Sequence, residues 1–103
     1  MLSPEEAKTI ALSFAGTSEK PHFDRIAFVV NKRIFATLSY TDKKLNLMFN
    51  PQLQLLFCPP QSDIIFPILN GWGRQGATTI NLEKAGRRLV QSALQEAYKL
   101  KKR

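Results

Sequence analysis

Residues 26–49 decide the fold: Ile26-Ala27-Phe28-Val29-Val30-Asn31-Lys32-Arg33-Ile34-Phe35-Ala36-Thr37-Leu38-Ser39-Tyr40-Thr41-Asp42-Lys43-Lys44-Leu45-Asn46-Leu47-Met48-Phe49. Three runs rich in aliphatic, β-branched and aromatic residues are divided by two short polar segments, the pattern of strands joined by turns. Ile34, Ala36, Leu38 and Tyr40 recur at every second position, and so do Leu45, Leu47 and Phe49. That period turns one face of each strand to a core. Asn31-Lys32-Arg33 and Thr41-Asp42-Lys43-Lys44 carry turn chemistry. The segment therefore reads as an antiparallel three-stranded meander.

Helices flank it. Upstream, Ser3-Pro4-Glu5-Glu6 is a helix start: Ser3 caps, Pro4 suits the first helical position, and Glu6 completes a Ser-x-x-Glu capping box. Ala7, Ile10, Ala11 and Phe14 make its apolar face and Gly16 stops it. Gly16 to Pro21 reads as a loop. Downstream, Asn50-Pro51 opens a short helix to about Phe57, which Pro59 and Pro60 end. Ile64 to Leu69 is apolar and extended, with Pro67 marking an edge or irregular path. Asn70 to Gly76 is a glycine-rich loop, and Ala77 to Leu82 reads as a strand. A final helix is predicted from about Gly86 to Leu100, its buried stripe formed by Leu89, Val90, Ala93, Leu94, Ala97 and Leu100. The fold class is α+β: an antiparallel sheet with N-terminal and C-terminal helices packed on one face, as a single domain over residues 1–103.

The 103 residues, 44% of them hydrophobic, suit one compact domain. Cys58 is the only cysteine, which excludes an intrachain disulfide and fits a reducing compartment. Residues 1–6 lack a secretory pattern, and the longest apolar run, Ile26 to Val30, is far short of a membrane span. A cytoplasmic protein with no membrane partner is expected, and a monomer is the default.

Charge is the most informative feature of the composition. Fifteen Lys and Arg against eight Asp and Glu give +7. The excess lies late in the chain: residues 1–30 are slightly acidic, while residues 64–103 carry eight basic and two acidic side chains. Such a chain attracts polyanions at long range, nucleic acid or anionic membrane alike. Lys99, Lys101, Lys102 and Arg103, at the very end, also have a plain reading as a solubilising, frayed helix terminus.

Four segments resemble a known family. Ala11-Leu12-Ser13-Phe14-Ala15-Gly16-Thr17 with Glu19-Lys20-Pro21-His22-Phe23 resembles its opening, and Lys32-Arg33-Ile34-Phe35-Ala36-Thr37-Leu38 its central hairpin strand. Asn70-Gly71-Trp72-Gly73 followed by Thr79-Ile80-Asn81-Leu82 resembles its tryptophan segment, and Ala93-Leu94-Gln95-Glu96-Ala97-Tyr98 its terminal helix. In order and spacing this is the MmcQ/YjbR pattern. The resemblance implies a frataxin-like (CyaY-like) architecture and DNA binding through a double-wing arrangement of hairpins.

Candidate sites follow from residues and resemblance together. Lys32 and Arg33 at one hairpin turn, and Lys43 and Lys44 at the next, are placed for contacts to DNA backbone phosphate. Successive meander turns lie at opposite ends of a sheet, roughly 23 Å apart for a seven-residue strand. Arg25 would then join Lys43 and Lys44, leaving Lys32 and Arg33 at the other end. Trp72, beside Asn70 and Arg74, is either a stacking platform with Arg74 on a phosphate or an indole sealing the core.

Gly71-Trp72-Gly73-Arg74-Gln75-Gly76 spells G-x-G-x-x-G, but a dinucleotide site needs a helix after the last glycine, and a strand is expected there. His22 and Cys58 are each unique, and a Cys–His nucleophile is weighed against an inert thiol between Phe57 and Pro59. No zinc or calcium ligand spacing occurs. An iron ridge like that of frataxin would need more carboxylates than Glu5, Glu6, Glu19 and Asp24 supply. The expectation is a non-enzymatic DNA-binding module with no cofactor and no metal. The alternative is a protein-interaction or small-ligand module using the Asn70–Gly76 loop and Ile64-Ile65-Phe66.

Overall fold

A computed structural model describes residues 2–103. Its elements run α1 (Pro4–Leu12), β1 (Ser18–His22), β2 (Arg25–Val30), β3 (Arg33–Ser39), β4 (Lys44–Met48), α2 (Pro51–Phe57), β5 (Ile65–Pro67), α3 (Gly71–Arg74), β6 (Ala77–Asn81) and α4 (Arg87–Lys102). The caps form as their chemistry dictates. Ser3 and Glu6 exchange two 3.1 Å bonds in a capping box, and the Asn50 side chain accepts from the Leu53 N–H at 2.9 Å.

The six strands form one antiparallel sheet in the order β1-β2-β3-β4-β6-β5. Asn31 and Lys32, at φ 51° and 66°, fold β2 onto β3 as a two-residue hairpin, the mirror-image turn that matches strand twist. Ile26, Leu38, Leu45, Ile80 and Ile65 align across five strands. Beside them Phe28, Ala36, Leu47 and Thr78 make a second row. These rows, with Val90, Leu94, Ala97 and Tyr98 of α4 and Ala7, Ile10 and Ala11 of α1, are the core. The opposite face is a row of smaller or polar residues, Ala27, Thr37, Asn46 and Thr79, ending at Phe66. Thr79 Oγ1 there donates to Asn46 Oδ1 at 2.8 Å.

Four readings of the sequence are corrected. Ser18 to Pro21, expected as loop, lies in edge strand β1; it carries no apolar alternation, and its order comes from pairing with β2. Strict alternation in β3 fails at Phe35. Phe28 pairs with Ala36 and Val29 with Ile34, so Phe35 is an extra residue with no partner opposite. It turns inward beside Ala36, fully buried against Phe28 and Tyr98, while Ile34 moves to the other face and is only half-buried. The glycine-rich stretch contains the short helix α3. Finally, α4 runs through Lys102, two residues beyond its expected end, so Lys101 and Lys102 are helical.

Candidate functional site

Antiparallel pairing places the β2–β3 turn at one end of the sheet and the β1–β2 and β3–β4 turns at the other. α4 leaves the end where β6 finishes and runs back to the β2–β3 turn, so its basic C-terminal residues arrive beside Lys32 and Arg33. The junction is specific. Asn31 Nδ2 donates to the carbonyl of Lys102, and Arg33 Nη1 donates to those of Lys101 (3.3 Å) and Arg103 (3.4 Å). These bonds occupy carbonyls that a helix end leaves without intrahelical partners, and the guanidinium complements the negative end of the helix dipole.

Tyr98 anchors the same turn from within. Its ring stacks on Phe14 at 4.9 Å, meets Phe35 edge-on at 5.8 Å, and its hydroxyl donates to the Ala15 carbonyl at 2.6 Å. Lys102 Nζ lies 5.5 Å from the centre of the ring. Lys32, Arg33, Lys101, Lys102 and Arg103 thus share one end. Among the described residues Lys32, Lys101, Lys102 and Arg103 pair with no carboxylate side chain. Arg33 has part of its guanidinium committed to the helix end.

The other end is mixed. Lys43 pairs with Glu83 at 3.9 Å, Arg87 with Glu6 at 2.8 Å, and Lys84 with Asp63. Arg25 reaches Lys44 as the meander geometry requires, Nη2 donating to its carbonyl at 3.3 Å while Nε donates to Thr37 Oγ1 at 3.0 Å. Partial burial lowers the Arg25 pKa, against the pull of Asp24 and Asp42.

Trp72 and Arg74 sit on α3, which enters β6 at Ala77 opposite Met48 and so belongs to the Lys32 end. β4 lies between β3 and β6, an offset of about 10 Å across the sheet. Trp72 is 65% exposed, so the indole does not seal the core. The glycines around it serve packing. A Cβ on Gly73 would meet the Ile68 carbonyl oxygen at 1.7 Å, and Gly76, at φ 115°, would bring one to 2.3 Å from that of Phe49.

The YjbR family profile matches residues 12–100. The chain belongs to the YjbR family. A search of curated proteins gives no match. Among solved structures the chain is similar to the Deinococcus radiodurans protein DR2400, described by the domain DUF419, with a TM-score of 0.78 and 17% identity over 97% of this chain and 78% of that one. At that identity the likeness is one of fold.

In this YjbR protein His22 and Cys58 do not meet. His22 ends β1, while Cys58 lies against Thr78 of β6, with three strands between them. Burial pushes the Cys58 thiol pKa up despite a hydrogen bond with Thr78, which keeps it protonated and poorly nucleophilic. Among the described residues no group of three or more His, Cys, Asp or Glu is placed to hold a metal ion. Likewise no helix is long and apolar enough to cross a membrane. Of the six residues singled out from sequence, Lys32, Arg33, Trp72 and Arg74 fall at one end and Lys43 and Lys44 at the other. Sequence reasoning missed Asn31 and Tyr98, which lock α4 onto that end. Asparagine at the first position of a two-residue hairpin is a legible turn signal; its bond to Lys102, across the length of the chain, is not.

Proposed function

We propose that this protein is a non-enzymatic DNA-binding module that contacts backbone phosphate through the β2–β3 end of its sheet. The observation that carries the reading is the convergence there of Lys32 and Arg33 with Lys101, Lys102 and Arg103, without neutralising carboxylates on the lysines and Arg103. Arg74 and the exposed Trp72, at the same end, suit a further phosphate contact and a stacking contact. Lys43 and Lys44 take a secondary part, in contact only with a duplex lying along the sheet. Contacts of this type position a duplex without reading its sequence, so little base preference is expected. A frataxin-like architecture and a cytoplasmic location belong to the same reading, the first supported by terminal helices α1 and α4 packed against one antiparallel sheet.

The test is fluorescence anisotropy of labelled duplex and single-stranded DNA over a salt series. A backbone binder has a dissociation constant of ~10⁻⁴–10⁻⁶ M at physiological salt and weakens steeply as salt rises. No binding at physiological salt, or binding indifferent to salt, overturns the proposal. In the segment Ile64-Ile65-Phe66, Ile65 is buried and Ile64 packs on the core, while Phe66 lies half-buried on the opposite face of the sheet.

A further inference from the structure

Between α2 and the last turns of α4 lies an open groove of about 310 Å³. Leu53 and Leu100 contribute to it, and Leu56, 77% exposed, forms part of its wall. The neighbouring Leu55 is 82% exposed. α2 carries no charged residue at all, yet the α4 side of the groove presents Lys99 and Arg103. A two-turn helix that leaves adjacent leucines in water gains nothing from them in the isolated chain.

We infer that this groove docks a short amphipathic, acidic segment of a protein partner. An aliphatic side chain of the segment enters between Leu56 and Leu100, and its carboxylates pair with Lys99 and Arg103. Charge selects this occupant. The one carboxylate in the groove, Glu96, already pairs with Lys99 at 3.7 Å, so the rim stays net positive. A second copy of the chain would bring the same positive rim against it, which like charge disfavours. A concave apolar cleft flanked by cations is the form that receives one face of a helix, with side chains at helical spacing as anchors. The inference does not require the DNA reading, which rests on the adjoining β2–β3 turn, although the two surfaces share Arg103.

The probe is a short synthetic helical peptide with leucines along one face and glutamates flanking them, titrated into the isotope-labelled full chain by NMR. Saturable shifts confined to Gln52–Leu56 and Lys99–Arg103 are expected. Leu56→Ser should weaken the peptide by about tenfold or more, as loss of a buried leucine contact requires. Because Leu56 is exposed, this variant should keep its fold and its affinity for DNA, so the two readings fail separately. Lys99→Glu should weaken the peptide as well, and Lys32→Ala should not. Equal binding of a peptide with serine in place of leucine overturns the inference, since it would reduce the groove to a charge effect. So does the appearance of the same shifts with anionic phosphatidylserine vesicles but not with the peptide.

Discussion

The β2–β3 and β3–β4 turns make similar local demands, and each holds a lysine in the left-handed conformation: Lys32 at φ 66° and Lys43 at φ 54°. They differ in what the fold brings beside them. Lys43 meets Glu83, in a region where Arg87–Glu6 and Lys84–Asp63 are also paired, while Lys32 meets the basic end of α4. A lysine at a hairpin tip is thus available for a polyanion or internally compensated according to tertiary neighbours tens of residues away. The turn itself does not decide it.

The comparison fails most visibly if α4 is not held as described. Tyr98→Ala removes the ring between Phe14 and Phe35 and should cost about 3–5 kcal/mol in chemical denaturation. Tyr98→Phe, which loses the bond to Ala15, should cost about 1 kcal/mol. A change in Tyr98→Ala below that of Tyr98→Phe would mean that the helix end is not anchored there.

Next comes the charge itself. Lys32→Ala, Lys101→Ala and Lys102→Ala together should lower the logarithmic salt slope of duplex binding by about 2–3 and weaken binding by about ten- to a hundredfold. Lys43→Ala with Lys44→Ala should leave binding within about twofold of the starting value, because phosphate contact at that end is only secondary. Equal losses at the two ends would erase the distinction.

A smaller effect separates conformation from charge. Glycine accepts φ > 0 without the clash that lysine meets, so Lys32→Gly and Lys43→Gly should each alter stability by no more than about 1 kcal/mol, in the stabilising direction. Only Lys32→Gly should also weaken DNA binding in the anisotropy assay.

The smallest expected effect is a pH dependence at the ion-paired end. The Ser3 backbone N–H and then its hydroxyl hold the Glu6 carboxyl below its ordinary 4.5, against the opposing effect of desolvation and with smaller help from Arg87. A depressed folded-state pKa means stability that is present above the unfolded value and lost as pH falls through the folded one. Melts at descending pH below 4.5 should therefore fall less steeply for Glu6→Gln than for the parent chain. Parallel curves would remove Glu6 from that role.

What was legible in the sequence was local. Ser3 and Asn50 announce their helices because a cap is made by side chains three residues away, and the meander announces itself by its period. β1 was illegible, because Ser18-Glu19-Lys20-Pro21-His22 has no buried face of its own and is ordered by β2 alone. The meander already separates Lys43 and Lys44 from Lys32 and Arg33, yet neither the pairing of Lys43 with Glu83 nor the arrival of Lys101 and Lys102 beside Lys32 has a sequence signature. The first depends on β6 lying beside β4, the second on how α4 crosses the sheet. Trp72 reads as either a stacking platform or an indole sealing the core, because a glycine-flanked turn does not fix which way the ring points, and its exposure goes against the second.

The unpartnered Phe35 has one more consequence. Side chains along a strand change sides at each step, and an inserted residue advances that phase by one for everything before it. Arg33, paired with buried Val30, consequently emerges on the side where α4 ends. Had Phe35 paired with Val29 and Ile34 with Val30, in a register without the bulge, the same arginine would emerge on the opposite face of the sheet, away from the end of α4. The face on which Arg33 meets the helix end thus depends on the parity of a single count in β3.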